Sequence, residues 1–159
     1  MERPLQYNVY KGMGAAFGAV QFNLVPAKFG ETKDKDEQGV IFLDITSATG
    51  KNVYDWANKI TFALGLADQA KLLHAITFKQ ELKDNDSLIH DPGAGGPNKG
   101  KIMKSLTLVS PGGWDKGGIL TVSMKDGDNS KKHSVPFAPY ELTTLRVLLT
   151  SAISRTLGW

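Results

Sequence analysis

Cysteine is absent from the 159-residue sequence, which excludes disulfides, thiolate catalysis, zinc fingers and iron–sulfur clusters. Long apolar runs are also missing, since none approaches the ~18 residues of a membrane-spanning helix. The first residues contain neither an apolar core nor an arginine-rich amphipathic stretch, so we expect no export or organelle signal. A length close to the ~150 residues of a typical domain predicts a single domain over 1–159.

Arginine is scarce. Only Arg3, Arg146 and Arg155 stand among the 19 basic residues, and the others are lysines. Arginine side chains can read the edges of guanine, whereas a lysine acts as a point charge for phosphate. The net charge of +3 is by itself weak support for a polyanionic partner. If the protein binds nucleic acid, its composition favours backbone contacts over sequence reading.

Apolar and polar residues alternate in several segments, a pattern typical of half-buried, mostly antiparallel strands. In one segment Ile41, Leu43 and Ile45 alternate with Phe42 and Asp44. Three further segments show the same period of two: 17–24, 54–64 and 120–125.

Two segments break this period and show helical spacing, 66–76 and 139–157. Pro139 suits the first position of a helix, and Gly158 follows the second segment as a stop signal. Each predicted helix follows a strand hairpin. We therefore predict an internal repeat, about 1–77 and 78–159, in which several strands precede one helix.

The sequence offers little for catalysis. His74, His90 and His133 lack the spacing of metal ligands, and no Gly-x-Ser-x-Gly motif is present. The glycine-rich segment 92–100 lacks Gly-Lys-Ser/Thr and is predicted to be a loop. We expect no cofactor, no metal site and no enzymatic activity. A nuclease-type enzyme that uses His90 and Asp91 is the alternative from this class.

Aromatic side chains occur among polar residues on two predicted strand faces. Phe17 shares its face with Gln21, and Phe42 shares its face with Asp44 and Thr46. Together with lysines on other strands, such aromatics describe a stacking platform with phosphate contacts, as in proteins that bind single strands. A protein interface and plain packing at a sheet edge remain the alternatives.

Four short motifs follow one another along most of the chain. They are Val53-Tyr-Asp-Trp56 with Lys59 and Phe62-Ala-Leu64, His90-Asp-Pro92, Lys104-Ser-Leu-Thr-Leu108, and Val135-Pro136…Glu141…Leu157-Gly-Trp159. In the same order they resemble the motifs Tyr-Asp-Trp…Lys…Phe-Ala-Leu, His-Asp-Pro, Lys-Ser-Leu-Ser-Ile and Val-Pro…Ala-Glu…Met-Gly-Trp of the Whirly single-stranded DNA-binding proteins.

This resemblance implies an α+β fold of two four-stranded antiparallel sheets, each followed by a helix, with the order ββββα repeated. It implies a homotetramer held mainly by the helices. It also implies that single-stranded DNA lies along the sheets and is bound with little sequence preference, in DNA replication, recombination or repair. Related mitochondrial proteins of this fold bind guide RNA, so RNA binding by the same surface is the alternative.

The sequence departs from the family at one motif. The family's Lys-Gly-Lys-Ala-Ala-Leu, which is tied to assembly beyond the tetramer, stands here as Lys11-Gly-Met-Gly-Ala-Ala16 and lacks the second lysine. The resemblance therefore does not extend to that larger assembly. Because no transit peptide is visible, we expect a bacterial or phage-like relative that acts in the cytoplasm.

The candidate binding residues combine rings for bases with lysines for phosphates. Trp56 falls on the apolar side of its predicted strand, so it is also expected to be a core residue. The stacking candidates are Tyr10, Phe17, Phe42 and Trp56. The phosphate candidates are Lys11, Lys59, Lys101, Lys104 and Lys125.

Overall fold

The computed structural model describes residues 5–12, 17–30 and 36–159. Within them the chain forms nine strands and two α-helices. The strands are β1 (Leu5–Tyr10), β2 (Gly18–Val25), β3 (Val40–Gly50), β4 (Val53–Tyr54), β5 (Ile60–Leu64), β6 (Leu88–His90), β7 (Ile102–Val109), β8 (Gly118–Asp126) and β9 (Asn129–Phe137). The helices are α1 (Leu66–Phe78) and α2 (Pro139–Leu157).

The strands form two antiparallel sheets, each followed by one helix. The first sheet has the order β1-β2-β3-β5, and the two-residue β4 pairs with the far end of β3. The second sheet has the order β6-β7-β8-β9. The predicted fold of two four-stranded sheets and two helices is confirmed.

Neither helix of the described part of the chain combines the length and the apolar character that crossing a membrane requires.

The core lies between the inner faces of the sheets and the helices. The alternating strand residues supply it as the sequence predicts: Val20, Leu43 and Phe62 of the first sheet and Val122 of the second are completely buried. Leu149 closes the core from α2. Each such side chain contributes roughly 1.5–3 kcal/mol by leaving water, so the polar faces outside the core can vary without loss of the fold.

The predicted strand over 54–64 is interrupted by a 3-10 turn, Trp56–Asn58. The side-chain amide of Asn58 donates to Asp55 Oδ2 over 2.8 Å and closes this turn. Because the turn breaks the period of two, the face predicted for Trp56 is wrong. Trp56 is half-buried in the turn and does not lie in the core.

Thr46 also departs from its predicted place on the polar face beside Phe42. It is fully buried, and its hydroxyl donates to the carbonyl of Asp55 over 2.5 Å. The segment that leads into the turn therefore packs on Thr46 and covers this end of the polar face of β3. The alternation of residues along the strand does not predict this cover.

The C-terminal end of α2 is held by the loop between β2 and β3. Ala27 N donates to the carbonyl of Arg155 over 3.1 Å, which satisfies one of the helix's last carbonyl groups. Gly158 ends the helix with φ +79°. The positive φ favours glycine here, and a Cβ at this position would also overlap the ring of Phe29 unless that exposed side chain moved.

Candidate nucleic-acid interface

The first sheet turns a polar face away from the core, and we call this side the outer face. A row of polar residues crosses its four long strands in register, Asn8, Gln21, Asp44 and Thr61. Asn8 Oδ1 is buried and has no hydrogen-bond partner among the described residues. The row therefore carries hydrogen-bonding groups across all four strands of the sheet.

Phe42 stands in the neighbouring row of the outer face with 40% of its surface exposed. Its cross-strand partners are Asn23 and Ala63, and neither is aromatic or charged. With 40% of its surface exposed between small and amide side chains, the ring is accessible to a ligand. The structure thus places Phe42 where the sequence predicted an exposed aromatic, and a nucleic-acid base could stack there.

Three aromatic rings form a cluster at the covered end of the outer face. The ring centroids of Tyr10 and Tyr54 lie 5.5 Å apart, and those of Tyr54 and Trp56 lie 6.4 Å apart. We call these three residues the aromatic cluster. Tyr10 is half exposed, and Gln21 donates to its hydroxyl over 3.3 Å. Phe17 lies half-buried just before β2, next to Gly18, which pairs with Ser47.

Lys59 immediately precedes β5, and its ammonium forms an ion pair with Asp44 of β3. Its Nζ lies 2.7 Å from Oδ2 of Asp44, and Thr61 donates to Oδ1 of the same carboxylate over 2.5 Å. The Lys59 side chain is 43% exposed while that of Asp44 is 13% exposed. Lys59 therefore reaches solvent at this face, but the neighbouring carboxylate offsets its charge.

Lys11 is tied to the start of α2. Its ammonium forms an ion pair with Glu141, whose carboxylate also accepts the Ala138 amide at the helix N-terminus over 2.9 Å. Burial and the nearby Glu141 charge raise the pKa of Tyr7 above its ordinary value. The position of Lys11 serves the junction between β1 and α2. Residues 13–16, where the family motif is altered, lie outside the described residues.

The second sheet carries an outer face of a different character. A shallow groove of about 440 Å³ runs across it. Ile89, 58% exposed, and Met103 supply apolar surface, while Lys125 and Lys132 supply charge. Lys101 is exposed in the turn before β7. The predicted lysines Lys101 and Lys125 therefore belong to the second sheet and not to the face that carries Phe42.

Lys104 and His133 project from the second sheet toward the first. Lys104 Nζ donates to the carbonyl of Thr61 over 2.8 Å. His133 is buried, and its ring contacts Ser47 and the carbonyl of Asn58. Both side chains thus bond to the first sheet, and Lys104 is only half-exposed to a ligand.

His90 and Asp91 are engaged in local structure. His90 Nε2 lies 2.8 Å from Asp68 Oδ2 of α1, and its ring stacks on Phe62 with centroids 4.1 Å apart. Asp91 accepts the backbone amides of Gly93 and Gly100 and so closes the following loop. Among the described residues no group of histidines and acids is arranged to hold a metal ion.

Sequence reasoning missed three features of this surface. Tyr54 is not among the candidate residues, yet it joins Tyr10 and Trp56 into one cluster. The ion pair of Asp44 with Lys59 depends on the register between β3 and β5, which cannot be read from the sequence alone. The pair Asp55 and Asn58 around Trp56 is the signal that could have revealed the turn, because both residue types favour turns. The binding roles of the nine candidate residues stay predictions.

Comparisons with known proteins give one consistent result. The family model of the Whirly transcription factor matches residues 9–148. The single-stranded DNA-binding protein WHY2 of Arabidopsis thaliana mitochondria is 25% identical over 126 residues, 78% of this chain and 50% of the relative. The chain spans about half the length of the curated relatives that it matches. These relatives are plant proteins, and none supports the predicted bacterial or phage origin.

Solved structures agree in fold. The crystal structure of WHY3 from Arabidopsis thaliana superimposes with a TM-score of 0.84 at 20% identity, covering 100% of this chain and 92% of that one. A guide-RNA-binding protein complex bound to its guide RNA superimposes with a TM-score of 0.57 at 12% identity, covering 99% and 95%. The Whirly family model covers most of the residues of this chain, and the chain has the same two sheet-and-helix units as these structures. The chain therefore belongs to the Whirly family.

Proposed function

We propose that this protein binds single-stranded DNA without sequence specificity, through the outer faces of its sheets. One observation carries the proposal: the first sheet exposes Phe42 and the aromatic cluster on a polar face outside the core. Rings presented in this way accept bases of any sequence, because every base has a π-face. The mitochondrial WHY2 relative, named for single-stranded DNA binding, supports the same ligand.

The cations near these faces suit phosphate contact more than base reading. Lysines supply nearly all the positive charge, and Lys101 and Lys125 are exposed on the second sheet. Rings and lysines together would hold the bases and the backbone of one strand, whereas a duplex hides its base faces. We propose that the protein uses this binding in DNA replication, recombination or repair. We also propose that it has no enzymatic activity.

The direct test is fluorescence anisotropy with labelled oligonucleotides of matched mixed sequence, single-stranded and duplex, over a salt series. We expect tight binding of the single strand, much weaker binding of the duplex, and a slope of ~0.7 per phosphate contacted in the single strand. Equal affinities for both at physiological salt would refute the stacking mechanism.

RNA is the second candidate, because a guide-RNA complex shares this fold. Competition between DNA and RNA strands of the same sequence separates the candidates, since only RNA carries the 2′-hydroxyl. Stronger competition by RNA at every salt concentration would assign RNA as the ligand in place of DNA.

A homotetramer is part of the proposal. The helices expose large apolar side chains, including Phe78 on α1 and Tyr140, Val147 and Leu148 on α2. Exposed apolar side chains of this size are typical of a protein interface. We expect a tetramer mass by light scattering at micromolar concentration. A monomer mass would show that the helices are not the interface.

A further inference from the structure

His133 connects the two sheets through both nitrogens of its ring. Its Nδ1 lies 2.7 Å from Ser47 Oγ in β3, and its Nε2 lies 2.8 Å from the carbonyl oxygen of Asn58. A carbonyl can only accept, so Nε2 carries the hydrogen of this bond. In the neutral ring Nδ1 then accepts from the Ser47 hydroxyl. Only 8% of His133 is exposed, so its bonds go to the first sheet and not to solvent.

The two partners of His133 stand on either side of the turn that carries Trp56. Ser47 accepts the amide of Asp55 through its carbonyl over 3.1 Å, just before the turn. Asn58 is the last residue of the turn. One imidazole therefore holds both the strand beneath the turn and the residue where the turn ends.

Lys104 supports the same region from the second sheet. Its bond to the carbonyl of Thr61 fixes β5 three residues beyond Asn58. We call His133 and Lys104 the inter-sheet clasp. The outer face at this end thus depends on side chains that come from the other sheet and that do not lie on the face themselves.

We infer that His133 is a positioning residue for nucleic-acid binding, which holds the turn Trp56–Asn58 so that Trp56 and the rest of the aromatic cluster meet the bases. This inference rests on the proposed function. Without the two hydrogen bonds of His133, one contact described above still connects this region to the second sheet. It is the bond from Lys104 to Thr61 in β5, the strand that follows the turn. Trp56 would then sample other orientations. Binding would be weaker because the Trp56 side chain would lose this conformational freedom when it stacked on a base.

The test compares His133→Leu, which removes both bonds, with His133→Gln, which can supply one donor and one acceptor. Affinity for a mixed-sequence single strand is measured well below the melting temperature of each variant, with and without Trp56→Ala. We expect His133→Leu to weaken binding about fivefold or more, within the range known for loss of one stacking ring. The salt slope should not change, and His133→Gln should recover part of the affinity.

The Trp56→Ala background separates positioning from general stability. If His133 acts through Trp56, His133→Leu adds little further loss once Trp56 is gone, because the two changes remove the same interaction. The matched control is Val135→Ala, a fully buried residue on the same strand whose aliphatic side chain makes no hydrogen bond to the turn. It should lower the melting temperature and leave affinity unchanged. Equal further loss in both backgrounds would overturn the inference.

Hydrogen exchange of the free protein gives a readout that needs no DNA. The Lys59 amide donates to the carbonyl of Trp56 over 3.3 Å, so its exchange reports on the turn. We expect faster exchange in His133→Leu than in Val135→Ala. If His133→Leu does not fold, Ser47→Ala, which removes only the Nδ1 partner, carries the same comparison.

Two outcomes separate this inference from the proposed function. Unchanged exchange in the turn of a folded His133→Leu or Ser47→Ala variant would overturn the inference, whatever the affinities. If the unmodified protein binds no single-stranded DNA, the proposed function fails and the base-contacting role of Trp56 fails with it. The exchange result would then still decide whether His133 holds the turn.

Discussion

Asp44→Asn is expected to tighten the binding of single-stranded DNA. Asp44 is the carboxylate in the middle of the outer face, between Gln21 and Thr61 in the polar row. It pairs with Lys59, a candidate phosphate contact whose side chain reaches solvent on this sheet. Asparagine has almost the same shape and can still accept a hydrogen bond from Thr61. The substitution therefore removes one negative charge and leaves the surface otherwise intact.

The expected size follows from simple electrostatics. A phosphate about 7 Å from the carboxylate is repelled by ~0.6 kcal/mol at the dielectric constant of water, and by up to ~2.4 kcal/mol at an effective value of 20. Salt screening reduces the larger figure. We therefore expect about three- to tenfold tighter binding at low salt. Because the charge of Lys59 is no longer offset, the salt slope should become steeper by up to ~0.7.

The assay is fluorescence anisotropy over a salt series with Asp44→Asn, Lys59→Met and the double variant. Asp115→Asn is the matched control, since it changes the net charge equally but lies in the 3-10 turn Trp114–Lys116 and lines a groove with Pro139 of α2. Thermal melts check the fold, and the ion pair should contribute no more than ~1 kcal/mol to stability because Lys59 is well exposed.

Two results would refute this reasoning. If folded Asp44→Asn binds more weakly than the unmodified protein, the carboxylate contacts the nucleic acid or holds Lys59 in place for it. If Asp115→Asn tightens binding as much as Asp44→Asn, the effect comes from net charge and not from the outer face.

Three further substitutions test the face assignment, the lysines and the helix end. Phe42→Ala should keep the fold and weaken single-strand binding by ~1–3 kcal/mol at constant salt slope, whereas Phe62→Ala should cost ~3–5 kcal/mol of stability in a melt; equal unfolding by both would reject the face assignment. Lys125→Ala should weaken all sequences equally and flatten the salt slope, and a sequence-dependent loss would contradict a phosphate contact. Gly158→Ala should lower the melting temperature, and adding Phe29→Ala should restore only part of it, because the positive φ of Gly158 remains; full recovery would show that the contact alone matters.

The regular parts of the fold could be predicted because their signals are local. Pro139 as a first helical position and Gly158 as a stop signal give α2 its observed bounds, and the alternation around Leu43 gives the buried side of β3. The turn at Trp56 could not be placed in this way. One irregular turn shifts the period of two, so every face assigned across it becomes unreliable. The face predicted for Trp56 is wrong for this reason, whereas Phe42, which lies within an uninterrupted strand, is exposed on the outer face as predicted.

The lysines show why a candidate site is harder to predict than a fold. Whether an ammonium is open to phosphate depends on what register and packing bring beside it. Lys11 is bound to Glu141, a residue 130 positions away, and Lys104 is bound to the carbonyl of Thr61. Within the described part of the chain Lys101 and Lys125 make no ion pair, and both belong to the second sheet. The first sheet therefore offers rings with little unpaired charge, and the second offers charge with aliphatic surface. If one strand of DNA contacted both sheets, its stacking energy would come mainly from the first sheet. The salt dependence of its binding would come mainly from the second.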